Sequence, residues 1–234
     1  MKIKIGFLIL IQILSVSAFA LIPKLSEKAY EILQLPPENQ KSLIDKSPDH
    51  LYRDFVQLAF DEKINMKIRW KALMAAAQIR KEKSTIDLVK ASTDPQWFMR
   101  SAAMTALAEY NPSESERVAK NLLKDKALVV RSAAVDILSQ IPSPEIRDLF
   151  WEELHQKYNF KNKQSLWIRP QMLTALAQKP KDQETGLFSR MLKEPELKMQ
   201  LIAVQGLQKL TGMKLGDTHT TPVALVQLWQ NYYK

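Results

Sequence analysis

The chain has 234 residues, 46% hydrophobic and 25% charged, a composition that belongs to folded proteins and excludes wholesale disorder. Thirty-one Leu and 21 Ala stand against 10 Val, 9 Thr and 5 Gly, so a β-sandwich, a barrel or a Rossmann-type sheet is ruled out and an all-α fold is expected. The net charge is +9, and with no Cys and only three His the chain lacks a thiolate nucleophile, a disulfide, Cys-ligated zinc and the makings of a multi-histidine metal centre.

Lys2 and Lys4, the apolar run from Ile5 to Val16, and the small residues Ala18 and Ala20 form the three-part pattern of a secretory signal. The stretch from Ile5 to Ile22 is 18 residues long, so an uncleaved anchor is the competing reading. Gln12, Ser15 and Ser17 inside it, together with the A-x-A site, favour cleavage after Ala20. The mature chain then starts at Leu21 with a charge of +7, in a bacterial periplasm or outside the cell, with no later segment able to span a bilayer.

Residues 21–46 read as an N-terminal capping hairpin. Residues 47–210 are occupied by a repeat. Asp94-Pro95-x-x-x-Met99-Arg100-Ser-Ala-Ala103 recurs as Asp125-x-x-x-Val130-Arg131-Ser-Ala-Ala134, with looser copies around Arg69, Arg169 and Gln200. The intervals between these anchor positions are 31, 31, 38 and 31 residues, and the odd one contains the polar stretch Tyr158 to Gln164, read as an extended loop. Apolar residues just before each anchor and three, four, six and seven residues after it give a helical period. Asp94-Pro95 and Glu194-Pro195 read as capped helix starts. Second amphipathic segments at about 49–61, 84–91, 113–123, 143–155 and 182–192 complete helical hairpins. Residues 211–234 read as a Gly-punctuated turn and a last helix anchored by Trp229, Tyr232 and Tyr233.

The D-P-x-x-x-V-R-x-x-A-x-x-A-L pattern resembles the HEAT repeat, in the short form also found in phycobilisome lyase-type proteins. The resemblance implies a right-handed α-α superhelix of about five to six hairpins, with the anchor helices lining its concave face. It also implies a ladder between neighbouring units made by Arg69, Asp94, Arg100, Asp125, Arg131 and Arg169. Lys63 and Lys163 stand where Asp is expected and Gln200 replaces Arg, so the ladder is expected to be best in the middle and weaker at the ends.

No spacing presents a catalytic set, and no cofactor or metal is expected. Glu152 and Glu153 near His155 read as a solvated face, and Asp217 with His219 as a turn. Lysine-rich hairpin tips suggest a positive ridge, so an anionic polymer or surface, such as nucleic acid, lipid or cell-wall polymer, is the alternative ligand. The export signal and the interleaved acids argue against nucleic acid. An enzyme of the lyase or glycosylase type is a third reading allowed by the resemblance, without candidate residues.

The positions two before, one after and five after each anchor fall on one stripe that points away from the core. Trp70, Met74, Phe98, Val129, Asp136 and Trp167 lie on it, and large apolar side chains facing water on a concave wall are anchors for a protein. The leading expectation is a non-enzymatic scaffold or adaptor that binds a protein or peptide there. The sequence gives no oligomeric state.

Overall fold

The computed structural model describes residues 27–46 and 49–234; the signal read at 1–20 lies outside them. Thirteen α-helices run through the described residues: α1 (Glu27–Gln34), α2 (Pro37–Asp45), α3 (Asp49–Phe60), α4 (Met66–Arg80), α5 (Thr85–Ala91), α6 (Trp97–Tyr110), α7 (Pro112–Leu122), α8 (Leu128–Leu138), α9 (Pro144–Glu153), α10 (Ile168–Gln178), α11 (Thr185–Met191), α12 (Leu197–Thr211) and α13 (Pro222–Tyr232). The fold is all-α, and none of these helices is long and apolar enough to cross a membrane.

Local chemistry sets the helix starts. Asn65, Asn111, Ser143 and Thr221 each accept a backbone N–H of the helix they introduce, α4, α7, α9 and α13, and Pro follows directly in the last three. Asp94 and Glu194 depart from the expectation. The helices they precede begin only at Trp97 and Leu197, so the two acids lie before the caps. Asp94 instead closes a turn, accepting the Gln96 N–H at 2.8 Å.

The anchor helices α4, α6, α8, α10 and α12 form one row, each packed on the next, and α3, α5, α7, α9 and α11 pack behind them. The repeat dictates this core. The residues just before the anchors (Ile68, Met99, Val130, Ile168, Met199) and three after them (Ala72, Ala103, Ala134, Met172, Ala203) are all buried. So are those at four and seven, from Leu73 to Leu207. Small residues in the +3 column let neighbouring helices approach, while each buried Leu, Met or Val contributes about 1.5–3 kcal/mol of transfer free energy. Behind the row, the α9 residue Arg147 pairs with Glu184 before α11 at 2.5 Å, and the Trp151 indole also donates to that carboxylate. Burial opposes ionisation of Glu184, but these donors outweigh it and hold the carboxyl below the usual range.

At the N-terminal end, α1 packs on α3 and α4 through Ala29, Ile32 and Leu33, and Lys71 of α4 donates to the Leu33 carbonyl at 2.8 Å. At the other end Trp229 is fully buried and stacks with Tyr233, and Tyr232 sets its ring edge-on against both while staying largely exposed. The stretch from Tyr158 to Gln164 also differs from its reading as a loop. Phe160–Lys161 and Gln164–Ser165 pair as a two-stranded hairpin, with Asn162 and Lys163 at positive φ in the tight turn.

One close approach is decided by a glycine. A Cβ on Gly206 of α12 would stand 2.6 Å from the Phe188 ring, which itself packs edge-on against Trp151, whereas a Cβ on Gly186 of α11 meets nothing within 4 Å. Gly206→Ala is expected to lose roughly 1–3 kcal/mol through overpacking. Gly186→Ala is expected to gain up to about 1 kcal/mol. Thermal unfolding of the two variants checks the opposite signs.

Candidate functional site

The anchor arginines are buried and each must satisfy a guanidinium inside the protein. Arg69 in α4 donates to Asp94 at 2.9 Å, Arg100 in α6 makes a two-pronged contact with Asp125 at 2.5 and 2.7 Å, and Arg169 in α10 donates to Glu194 at 3.0 Å. In each case the acid lies 25 residues ahead, in the turn before the next anchor helix. Arg100 and Arg131 also hold the carbonyls of Asp94 and Asp125 six residues behind, and Gln200 makes the same contact with the Glu194 carbonyl. These rungs bring the first turns of neighbouring anchor helices side by side along one edge.

The ladder breaks in the middle as well as at its last position, where Gln200 in place of arginine makes no ion pair. Twenty-five residues beyond Arg131 stands Gln156, because the repeat here is lengthened by the hairpin. Arg131 reaches the Tyr158 carbonyl at 3.2 Å, lies 5.6 Å from the Tyr158 ring centroid, and leaves its Nε without a partner. Burial pushes this guanidinium below its ordinary pKa, against the favourable effect of Tyr158 and the nearby acids. The Tyr158 hydroxyl donates to Glu153, which is therefore buried rather than on a solvated face. The intact rung at Arg169 keeps its place through the hairpin, its guanidinium 4.1 Å from the Phe160 ring centroid.

On the outward stripe, Trp70, Val129, Asp136 and Trp167 are exposed and Met74 is half-buried. Phe98 is not exposed. Only 8% of it is accessible, and Arg69 lies over its ring at 5.4 Å, so the residue expected to face water instead covers the Arg69 rung. Its neighbour Trp97 takes the outer position with 43% exposed. Met66, Trp97 and Leu197, each the first residue of its helix, join Val129 and Trp167 in a row of exposed apolar side chains crossing the first turns of α4, α6, α8, α10 and α12. Trp70 sits one turn further along α4.

Toward the middle of the anchor helices the surface becomes polar. A cleft of about 370 Å³ between α8 and α10 is lined by Asp136, Gln171, Thr174, Gln178 and the edge of Trp167. Gln171 organises it, donating to Asp136 at 2.7 Å and to the Ser132 carbonyl at 3.1 Å while accepting from the Ser132 hydroxyl. Gln171, Trp97, Met66 and Leu197 escaped the sequence reading. A signal for three of them was present in the column three before each anchor, which reads Met66, Trp97, Leu128, Leu166, Leu197 and is apolar throughout.

Among the described residues no three His, Cys, Asp or Glu side chains gather as a metal site. Asp217 accepts from the Thr220 hydroxyl at 2.9 Å and from the His219 amide at 2.9 Å. Those donors hold its carboxyl below the usual range and commit it to its own turn. The chain matches no family model, and no curated protein matches it.

The rungs carry a stability prediction. Asp125→Ala leaves the Arg100 guanidinium buried without its carboxylate and is expected to cost about 3–5 kcal/mol. Arg131→Met removes a cation that has no carboxylate and is expected to cost distinctly less, the main loss being its bond to the Asp125 carbonyl. Chemical denaturation of both variants gives the order directly.

Proposed function

We propose that the chain is a right-handed α-solenoid of HEAT-like repeats, exported to the periplasm or cell exterior, that acts as a scaffold by holding a protein or peptide. The observation that carries this reading is the row of large apolar side chains exposed across five successive helix starts, with Trp97 and Trp167 at its centre. Tryptophans half open to water on rigid elements are the anchors around which protein interfaces concentrate their affinity. Because the row is carried by packed helices whose first turns are tied by buried ion pairs, a partner meets a surface that is already ordered, and little affinity is lost to rearrangement.

The working surface in this reading is the row at the helix starts, with Trp70, Val129 and Trp167 from the outward stripe joined by Met66, Trp97 and Leu197. Met74 and Asp136 lie beside it, toward the polar cleft. Phe98 supports the row from beneath. The test is capture from a bacterial envelope extract on the immobilised chain from Leu21 onward, washed at high salt, beside a Trp97→Ala, Trp167→Ala variant. Both side chains are exposed, so the variant is expected to keep its melting temperature while the retained partner is lost, each truncation weakening binding by about tenfold or more. A partner held equally by both proteins would contradict the row as the binding surface.

A further inference from the structure

Around the apolar row most of the carboxylates are held inside the protein and the lysines are not. Asp94, Asp125 and Glu194 are held by Arg69, Arg100 and Arg169, and Glu196 accepts the Ser165 amide at 2.5 Å. Asp61 and Glu62, before α4, and the exposed Asp136 of α8 form no ion pair among the described residues. Against them, Lys67 and Lys198 in the first turns of α4 and α12, Lys124 and Lys126 before α8, and Lys161 and Lys163 on the hairpin are all exposed. None of these six forms an ion pair among the described residues. The excess positive charge therefore sits on the same edge as the tryptophans.

The shape of the row limits what fits it. Helix axes in contact lie about 8–10 Å apart, so five helix starts span about 32–40 Å. An extended chain rising about 3.3 Å per residue covers that distance in about 10–12 residues. A narrow band of side chains along the helix starts, flanked by cations, matches an extended segment better than a broad surface.

Resting on the proposed binding role of the row, we infer that its partner presents an extended acidic segment of about 10–12 residues, apolar side chains set on Trp97, Val129 and Trp167 and carboxylates facing the flanking lysines. Charge of this kind selects the partner and speeds encounter, while the tryptophans supply the lasting contact.

The experiment is selection of a random 12-residue peptide library displayed on phage against the chain from Leu21 onward, with two variants beside it. One is Lys124→Glu, Lys126→Glu, Lys161→Glu, Lys163→Glu; the other is Trp97→Ala, Trp167→Ala. All the substituted side chains are exposed, and unchanged thermal melts establish that both variants fold. The expected result is enrichment of peptides rich in Asp and Glu with interspersed large apolar residues. Synthetic copies of these peptides are expected to bind the charge-reversed variant at least roughly tenfold more weakly at low salt, with less difference at high salt. Enrichment of apolar peptides without acids would overturn the inference and leave the row standing as a binding surface. Peptides selected equally by the Trp97→Ala, Trp167→Ala variant, or no enrichment at all, would overturn both. Co-sedimentation with phosphatidylglycerol vesicles through the same lysines, with no acidic peptide selected, would replace the peptide by a lipid surface.

Discussion

A guanidinium buried in a protein interior is costly unless its N–H groups are satisfied, best of all by a carboxylate, and that demand orders much of this molecule. The arginines at the starts of α4, α6 and α10 are fixed in place by the apolar residues around them in sequence, so the next turn must deliver an acid at one defined point. Asp94, Asp125 and Glu194 do so, and the spacing of 25 residues is the same in all three. A buried ion pair contributes little net stability compared with a well-packed apolar substitute, because both charges had to leave water. What it contributes here is register: a helix displaced by one turn would strand a charge on each side of the contact. The rungs tie the first turns of α4 to α6, α6 to α8 and α10 to α12, and that alignment sets the exposed side chains of those turns beside one another.

The hairpin inserted before α10 shows the same constraint under stress. It lengthens one repeat and removes the acid that Arg131 requires, and the protein answers with weaker partners: a carbonyl, an aromatic face and the Tyr158–Glu153 pair. The downstream rung survives because the hairpin closes on itself and returns the chain to Leu166, whose amide bonds the Asn159 carbonyl at 3.0 Å. The insertion thus costs the ladder one rung without shifting the helices that follow. It also places Trp167, with 59% exposed, immediately before α10, beside the polar cleft.

Much of the helical core was legible in the sequence, because burial in an amphipathic helix depends on spacing alone. The columns before each anchor and at three, four and seven after it recur with the period of the helix and end in the interior. The arginines were legible too, as was a ladder through Asp94 and Asp125, but the pairing of Arg169 with Glu194 and the missing acid for Arg131 were not. Each carboxylate contact runs forward 25 residues to the next repeat, so which acid meets which arginine depends on how the helices stack and on the length of each repeat. Periodicity also misjudged the surface. Phe98 and Trp97 are adjacent, and which of them turns outward depends on the conformation of the Asp94-Pro95 turn, where the regular spiral has not yet begun. Glu153 was misread for a different reason: its cover comes from Tyr158 in an insertion that has no counterpart in the other repeats.

The central claim is that three of the five tryptophans stand open to water on one edge while the other two are buried, Trp151 behind it and Trp229 at the C-terminal end. Hydroxyl-radical footprinting of the folded chain, read residue by residue by mass spectrometry, tests this with internal controls. The account predicts rapid oxidation of Trp70, Trp97 and Trp167, and protection of Trp151 and Trp229, which are 7% and 0% exposed. Protection of Trp97 and Trp167 to the level of Trp229 would contradict it, for the row would then be part of the core.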